Sequence, residues 1–330
     1  RRHSFPTRRS SDLVGTGLMA ELILRDFALA DGTNLYALVS REPAKAEARL
    51  AEFGITGAKG LTFEQAIADP AVDVIYVASP HSEHLWQAKA ALNAGKHVLV
   101  EKAFTMNAAE AIELDELAKS KGLFLMEAMW TKFLPLHNAV KKMIEAGDLG
   151  KLVMIQAEFA MNAPFDNNHR LFNFELGGGT TLDQGVYTTT VNRFFADSPI
   201  ASQTTIGHRF ENGADAFADT TFIFENGVIG HGISALDANV GFGCRVIGDK
   251  STVELIGSFW NARELDKVVY SGQALPTRER IKYETKGAGY AHMLGAVSTA
   301  ILAGKTECAE HPMSWTIENM KVLDKIRAAF

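Results

Sequence analysis

An aspartate and a tyrosine that could share proton-transfer chemistry lie four residues apart in the stretch GGGTTLDQGVYTTT, residues 177–190. If a helix begins near Thr180, Asp183 and Tyr187 project from one face of it, one turn apart. The three glycines that open the stretch have no Cβ atoms, so their backbone can lie close to a bound ligand. These features indicate a pocket with a carboxylate and a phenol that can pass a proton. A glycine loop followed by an ordinary helix with a half-buried Tyr187 is the alternative.

A second candidate for chemistry is Lys102, which follows the apolar run 97–100 and its neighbour Glu101. A lysine just past a buried strand costs free energy unless it is solvated or paired. Pairing with Glu101 would give Lys102 a structural role, whereas exposure to a ligand would give it a chemical one. These residues alone leave both roles open.

The elements that would position these groups begin with a glycine motif. Gly15-Thr16-Gly17-Leu18-Met19-Ala20 matches the pattern G-x-G-x-x-A, with an amphipathic segment behind it. In this pattern the first glycine permits a tight turn and the second permits close approach of a pyrophosphate. The start of the helix supplies amide donors and the positive end of its dipole. A single match is weak evidence.

Apolar strands alternate with helices after this motif, which strengthens it. The predicted elements are strand 34–40, helix 43–53, strand 72–78, helix 84–94, strand 97–100, helix 108–121 and strand 123–126. Such alternation requires a parallel sheet covered by helices on both faces. We therefore predict an α/β, doubly wound domain of the Rossmann type, in which ligands bind beyond the carboxyl ends of the strands.

Two segments at predicted strand ends could bind a dinucleotide. The second strand ends in Ser40-Arg41, where an acidic residue would hold a ribose 2′-hydroxyl. Arg41 suits a 2′-phosphate, which favours NADP over NAD, although Glu42 is adjacent and a solvated Arg41 is the alternative.

The segment Ser79-Pro80-His81-Ser82-Glu83-His84 follows strand 72–78. Its two imidazoles could contact the nicotinamide ribose. Alternatively, Ser82 caps the next helix and both imidazoles are exposed.

Four motifs, in order and spacing, give the chain a family resemblance. G-T-G-L-M-A, S-P-H-x-E-H, E-K-A-F and G-G-G-x-x-L-D-x-G-x-Y resemble those of the Gfo/Idh/MocA oxidoreductases, over nearly the whole chain from Val14 to about Phe330. The segment 125–133, LMEAMWTKF, looks most like the branch that contains dimeric trans-dihydrodiol dehydrogenases and NADP-linked xylose dehydrogenases.

The resemblance implies a mechanism. Lys102 matches the lysine that contacts nicotinamide and the reacting oxygen, Asp183 matches an aspartate that orients the site, and Tyr187 stands where this branch has a catalytic tyrosine. Tyr187 would take the hydroxyl proton as hydride leaves the substrate for nicotinamide, and Lys102 would favour the tyrosinate electrostatically. Glu101 and Lys102 would bind the cofactor together with the residues of the preceding motifs, which are Gly15, Thr16, Gly17, Leu18, Met19, Ser40, Arg41, Ser79, Pro80, His81 and His84.

The resemblance also suggests substrate contacts, although ordinary packing or surface placement explains each residue as well. These candidates are Trp130, Phe133, Phe159, Asn162, His169 and Arg170. One position departs from the family pattern, because Ala103 stands where the family usually has proline after the lysine, in a bond that is often cis. Since a cis bond before alanine costs about 2.5–4 kcal/mol, we expect the Lys102–Ala103 bond to be trans. The alternative is a cis bond whose strain the surrounding packing bears.

After Gly150 the sequence changes to strands without intervening helices. Strands are predicted at 151–162, 216–224, 228–235, 243–247 and 252–256, with a hairpin signal at Glu225-Asn226-Gly227. Helices are predicted at 180–195, 289–304 and 314–329. This pattern predicts residues 14–134 as the nucleotide-binding domain. Residues 135–330 would form an α+β substrate-binding and oligomerisation domain with a large, mostly antiparallel open sheet. One sheet face would be helix-covered, and the other would form a homodimer or higher oligomer or be solvated.

The first thirteen residues, RRHSFPTRRSSDL, do not fit this scheme. They leave only Leu13 and Val14 of the expected first strand. A twin-arginine signal would need an apolar region, which does not follow, and a transit peptide would precede a complete domain. We interpret the segment as a sequence artefact that replaces the start of the strand.

Composition limits the classes of partner. A formal charge of −6 without a basic patch argues against nucleic acid. No apolar run approaches the roughly 20 residues that span a bilayer. The two cysteines have no metal-ligand spacing around them and fit a reducing compartment, so we expect a cytoplasmic protein without metal or membrane partner.

These observations predict an NAD(P)-dependent oxidoreductase, NADP being preferred. The predicted substrate is a secondary alcohol, lactol or ketone of a sugar or cyclic trans-diol. The alternative is a sugar sensor of the same fold that binds NADP without turnover. The presence of Lys102, Asp183 and Tyr187 together favours the enzyme.

Overall fold

The computed structural model describes residues 9–14, 18–272 and 274–330, which fold into two compact units. The first unit comprises the described residues of Arg1–Trp130 together with Lys286–Met320, and the second comprises those of Thr131–Thr285 together with Lys321–Phe330. This division differs from the predicted single boundary between residues 134 and 135, because residues 286–320 belong with the first unit.

The strands, in chain order, are β1 (Arg9–Val14), β2 (Thr33–Val39), β3 (Lys59–Leu61), β4 (Val74–Val77), β5 (His97–Val100), β6 (Leu125–Glu127), β7 (Leu152–Asn162), β8 (Ile200–Arg209), β9 (Asp215–Phe224), β10 (Ile229–Ala235), β11 (Asp237–Gly241), β12 (Cys244–Gly248), β13 (Ser251–Ile256), β14 (Glu264–Val269) and β15 (Thr277–Lys282).

The α-helices, in chain order, are α1 (Leu18–Phe27), α2 (Pro43–Glu52), α3 (Phe63–Ala68), α4 (His81–Asn93), α5 (Ala108–Lys121), α6 (Pro135–Glu145), α7 (Val186–Ala196), α8 (Tyr290–Leu302) and α9 (Met313–Arg327). Among the described residues, every helix is too short or too polar to cross a lipid bilayer.

The first unit contains the predicted parallel sheet, with six strands in the order β3-β2-β1-β4-β5-β6. Every residue of β4 is buried, as expected for a strand covered on both faces. In this order the chain reverses direction across the sheet between β1 and β4, which is the switch point where doubly wound sheets bind ligands.

Strand β1 is longer than the sequence predicted. Its backbone, Arg9–Val14, pairs in parallel with β2 on one side and β4 on the other. The prediction that only Leu13 and Val14 remain of this strand was therefore wrong. Backbone pairing uses amide and carbonyl groups that every residue except proline supplies, so polar residues do not prevent it.

Helix α8 belongs to the first unit because α1 holds its beginning. The buried Asp26 carboxylate of α1 accepts hydrogen bonds from the amides of Ala288, Gly289 and Ala291, at 2.8, 2.9 and 3.2 Å. These amides lie at the start of α8, where a helix leaves its donors without internal partners.

The second unit is built on a nine-stranded sheet in the order β15-β14-β13-β12-β7-β10-β9-β8, with β11 also paired to β7. Its strand pairs are antiparallel except for β7 with β10, which confirms the predicted mostly antiparallel sheet. Helix α7 packs on one face. There Gly230 lets α7 approach closely, since a Cβ atom at this position would come within 2.7 Å of Asn192 Oδ1.

Four strands of the second sheet, β8, β11, β14 and β15, were not predicted. Strand β15, with the sequence TRERIK, is exposed along nearly its whole length. Its arginines form ion pairs with neighbouring strands, Arg278 with Glu254 at 2.6 Å and Arg280 with Asp266. Backbone hydrogen bonds and ion pairs hold this strand. It therefore lacks the alternation of apolar and polar residues on which the prediction of strands relied.

Candidate active site

The described part of the first unit places Lys102 directly beyond β5, in a segment whose backbone is held by side chains. The Lys102 amide donates to Glu101 Oε2 at 3.1 Å, and the Tyr76 hydroxyl donates to the other carboxylate oxygen at 2.5 Å. Glu101 is 5% exposed. The buried Glu101 carboxylate thus fixes the backbone at Lys102, a contact that the sequence did not predict.

The two predicted histidines also hold this segment. Helix α4 begins at His81, earlier than predicted, and both imidazoles are buried. His81 Nε2 lies 3.3 Å from Lys102 O, and His84 Nδ1 lies 3.1 Å from both Ala103 O and Phe104 O. The alternative of a Ser82 cap with exposed imidazoles was therefore wrong: Pro80 occupies the cap position.

Burial lowers the pKa of His84, although its carbonyl partners, Ser79 O among them, oppose the shift. Burial favours the neutral ring because the charged form loses its hydration. A neutral imidazole in this place can support the backbone around Lys102 without adding a second positive charge beside the ammonium.

The peptide bond between Lys102 and Ala103 is cis, so the expected trans bond was wrong. The expectation gave more weight to the intrinsic preference of the peptide bond than to the packing around it. In the folded protein Ala103 and Phe104 are fully buried, and the carbonyls of this segment face the two histidines.

Seven further cofactor candidates belong to the glycine motif and to the segment between β4 and α4. Gly15, Thr16 and Gly17 lie outside the described residues. Leu18 and Met19 begin α1, directly after that stretch. Ser79 and Pro80 lie between β4 and α4, and the Ser79 hydroxyl donates to Gln87 Oε1 at 2.7 Å.

Ser40 and Arg41 follow β2, as predicted, and Arg41 is exposed. The neighbouring Glu42, which complicated the sequence argument, forms a surface ion pair with Lys45 at 2.6 Å. The strand order and an exposed arginine after β2 fit a dinucleotide with a 2′-phosphate.

In the second unit, Tyr187 lies in the first turn of α7 and is 4% exposed. Asp183 precedes it in a wide, π-helical turn, Thr181–Gly185, where a regular α-helix was predicted. The buried Asp215 carboxylate accepts from Thr181 N at 2.5 Å and so fixes the start of this turn. Arg170 Nη1 donates to Asp183 Oδ1 at 2.9 Å, which joins two of the predicted site residues.

Tyr187 belongs to an aromatic cluster, which we define as Phe159, Tyr187, Phe242 and Trp260. The rings of Phe159 and Trp260 stack with centroids 3.7 Å apart, and the Tyr187 ring lies 5.8 and 6.1 Å from them. Phe242 meets Phe159 edge to face at 5.7 Å. Phe159 was predicted, whereas Trp260 and Phe242 were missed, because sequence spacing does not reveal contacts between distant strands and loops.

The aromatic cluster does not include the remaining substrate candidates. Trp130 is 4% exposed and stacks on Tyr290 in the first unit, which indicates packing. Phe133 is half-buried. Asn162 and His169 are exposed. The backbone amide of Asn162 donates to Asn239 Oδ1, and His169 Nδ1 accepts from Leu171 N. Their predicted roles stay predictions.

Metal binding has no candidate in the part of the chain that the structure describes, since no group of three or more His, Cys, Asp or Glu side chains there could hold an ion.

A parallel sheet in this order, joined in one chain to a large, mostly antiparallel sheet, defines a class of dinucleotide-dependent oxidoreductases, and sequence comparison gives the family. The Gfo/Idh/MocA oxidoreductase model with an NAD-binding Rossmann fold matches residues 12–129, and the model of that family's C-terminal domain matches residues 137–254. The chain therefore belongs to the Gfo/Idh/MocA family of NAD(P)-dependent oxidoreductases.

Individual relatives are dehydrogenases. A trans-1,2-dihydrobenzene-1,2-diol dehydrogenase of Oryctolagus cuniculus is 30% identical over 298 residues, 89% of each chain. The D-xylose 1-dehydrogenase (NADP(+)) of Hypocrea jecorina is 46% identical over 137 residues, which are 39% of this chain and 35% of that enzyme. Among solved structures, the aldose-aldose oxidoreductase of Caulobacter crescentus, complexed with glycerol, has the same fold. Its TM-score is 0.86 at 23% identity, over 98% of this chain and 97% of its own.

Proposed function

We propose that this oxidoreductase transfers hydride between NADP and a secondary alcohol, lactol or ketone of a sugar or cyclic trans-diol. The observation that carries the proposal is the placement of Tyr187, a buried phenol in an aromatic cluster, one turn after an aspartate held by an arginine. The relatives named for a diol and for a pentose support the same substrate classes.

Tyr187 is the proposed acid/base group. In the oxidation direction Tyr187 Oη, as the tyrosinate, would take the proton of the substrate hydroxyl, and bound NADP would supply the hydride chemistry; in reduction the Tyr187 phenol would return the proton. The bound nicotinamide supplies the redox chemistry, and the protein supplies alignment and proton transfer. Lys102 is proposed to stabilise the tyrosinate electrostatically, and Asp183, anchored by Arg170, to orient the phenol.

The aromatic cluster supports the substrate class. Flat ring faces bind the apolar C–H faces of sugars as well as cyclic diols, because dispersion and area burial require no specific polar partner. Trp260 therefore joins Phe159 as a proposed substrate contact. We assign recognition of the polar groups of the substrate to Arg170. Its side chain is half-exposed, and its guanidinium already binds Asp183.

A substrate panel tests the activity. Pentoses, hexoses and cyclic trans-diols are incubated with NADP or NAD, and reduced cofactor is followed by its near-ultraviolet absorbance. We expect turnover with at least one of these classes and a higher kcat/KM with NADP. Tight NADP binding without turnover of any of these substrates would instead support the sensor alternative.

The role of Tyr187 is tested by Tyr187→Phe. We expect kcat to fall by about 10²–10⁴, as is typical when a general acid/base is lost, while NADP affinity is unchanged. Tyr270→Phe is the matched control, because that side chain is half-exposed and lies outside the aromatic cluster. Near-complete turnover by Tyr187→Phe would refute the assignment.

A further inference from the structure

A cluster of three fully buried polar side chains lies behind the Lys102 segment, within the first unit. Glu127 ends β6, His311 precedes α9, Thr316 lies in the first turn of α9, and each is 0% exposed. Glu127 Oε2 is 3.1 Å from His311 Nε2 and 3.2 Å from the Thr316 hydroxyl, which donates to it. Because a carboxylate only accepts, His311 Nε2 carries the hydrogen that it donates.

Burying such polar groups costs free energy, so this cluster is an inefficient means of stabilising the fold. A buried carboxylate loses its hydration, and a buried polar pair often contributes no more stability than apolar residues of the same volume. Removing one member of such a pair nevertheless leaves a buried group uncompensated. The role of Glu127 therefore depends on the partner of its second carboxylate oxygen, Oε1.

That oxygen holds the backbone beside Lys102. Glu127 Oε1 accepts from the Phe104 amide at 3.2 Å, two residues after the lysine. On the other side, Glu101 Oε2 accepts from the Lys102 amide at 3.1 Å. Two buried carboxylates thus accept hydrogen bonds from the main chain on either side of the Lys102–Ala103 bond. Glu101 is adjacent to this bond in the sequence, whereas Glu127 is not.

We propose that Glu127, held by His311 and Thr316, is a positioning residue that sets the direction of the Lys102 side chain. The proposal rests on the function proposed for Lys102. A displacement of about 1 Å at a reacting group can lower a rate by about 10², so a small shift of this backbone is enough to matter.

Steady-state kinetics of the full-length enzyme with NADP test the proposal. We expect Glu127→Ala to lower kcat by about 10² while the KM for NADP changes by less than about threefold. Glu127→Gln keeps an oxygen for the Phe104 amide and should recover most of that loss. Thr316→Val keeps its shape, removes one donor to Glu127, and should lower kcat a few-fold. Asp115→Ala removes another buried carboxylate of the same unit, one paired with Lys119, and should leave kcat unchanged.

A double-mutant cycle separates positioning from general destabilisation. If Glu127 acts through Lys102, Glu127→Ala has no further effect on kcat in a Lys102→Ala background, whereas independent effects would multiply. Hydrogen exchange of the peptide 101–106 gives a readout that does not depend on catalysis, and Glu127→Ala should accelerate it.

The outcomes distinguish the two proposals. Full turnover by Lys102→Ala would remove the role of the lysine and, with it, this inference. Loss of turnover in Lys102→Ala, together with kcat within twofold of wild type in Glu127→Ala, would overturn the positioning role alone. If Glu127→Ala does not fold, Thr316→Val decides: unchanged kcat together with unchanged exchange of 101–106 in this variant would also overturn it.

Discussion

Arg41 offers the most direct test of cofactor choice at the scale of single residues. Its guanidinium is exposed after β2, and Glu42 is engaged by Lys45. Since hydrogen bonds to charged groups contribute about 1.5–3 kcal/mol, Arg41→Ala should raise the KM for NADP by about 10–100-fold and leave the KM for NAD nearly unchanged. Arg49→Ala, in the following helix α2, is the control. Equal effects of Arg41→Ala on both cofactors would contradict the role.

His137 in α6 gives a pH-dependent prediction. It is 0% exposed, and burial lowers its pKa to about 4. In the unfolded chain the same ring titrates near 6.5, so between these values only the unfolded state gains the proton. This residue is therefore expected to reduce the stability of the protein as the pH falls from about 6.5 to about 4, and to have no such effect above that range.

Urea unfolding at about pH 7.5 and about pH 4.5 measures this contribution, which should reach about 2–3 kcal/mol at the lower pH. His137→Leu should abolish it, so that the difference in unfolding free energy between the two pH values becomes smaller than in wild type. The exposed His169→Leu is the control and should keep the wild-type difference. Parallel pH profiles for wild type and His137→Leu would refute the prediction.

Some contacts of single residues could be predicted from the sequence, and others could not. Asp183 with Arg170, and Tyr187 with Phe159, were predicted and lie together in the second unit. The roles of His81 and His84 could not be predicted, because they depend on carbonyl groups that follow a different strand. Glu127 was passed over for the same reason, since its partners come from the far end of the chain.

At the scale of elements, the contact between α1 and the start of α8 is a testable cap. Asp26→Ala leaves three amides at the beginning of α8 without their acceptor, and we expect about 2–4 kcal/mol of destabilisation, measured by thermal or urea unfolding. Asp26→Asn, which keeps one oxygen, should cost less.

Asp31→Ala is the matched control for this cap. Asp31 pairs with Lys286 in the same segment, but its side chain is 90% exposed, and exposed pairs contribute little. A destabilisation as large in Asp31→Ala as in Asp26→Ala would show that the buried cap is not the cause.

Elements with a strong apolar pattern were predicted closely. Strand β5 and helix α5 have the predicted bounds, because a buried strand and an Asn-capped, Gly-ended helix carry local signals. The wide turn at Thr181–Gly185 has no such signal. It depends on Asp215, a residue from the later strand β9, which binds the amide of Thr181.

At the scale of the whole molecule, the open face of the second sheet gives the prediction on assembly. Ile206, Ile223 and Ile229 point away from α7, as the strand register requires, and they are 75%, 39% and 37% exposed. Neighbouring exposed isoleucines on a broad sheet are typical of an interaction surface. We therefore propose that the enzyme is a homodimer through this face, as self-complementary sheet surfaces allow.

Sedimentation velocity tests this assembly. Wild type should sediment as a dimer, and the double variant Ile206→Glu with Ile223→Lys should sediment as a folded monomer. Leu275→Glu, at an exposed loop position, is the control and should stay dimeric. A wild-type monomer at every concentration tested would refute the proposal.

The family and the two kinds of sheet could be predicted from motifs and patterning, but the composition of the units could not. The chain leaves the first unit after Trp130 and returns to it at Lys286. The return depends on a carboxylate in α1 meeting amides more than half a chain away. The spacing of residues in the sequence does not by itself predict a contact between segments so far apart.

This discontinuity affects how the protein is made. A ribosome must synthesise residues up to Met320, out of 330, before every segment of the nucleotide-binding unit exists. The early strands and helices therefore emerge long before the helix that Asp26 caps. Nascent chains should consequently remain clients of chaperones, and sensitive to proteases, until the segment that ends at Met320 has left the ribosome.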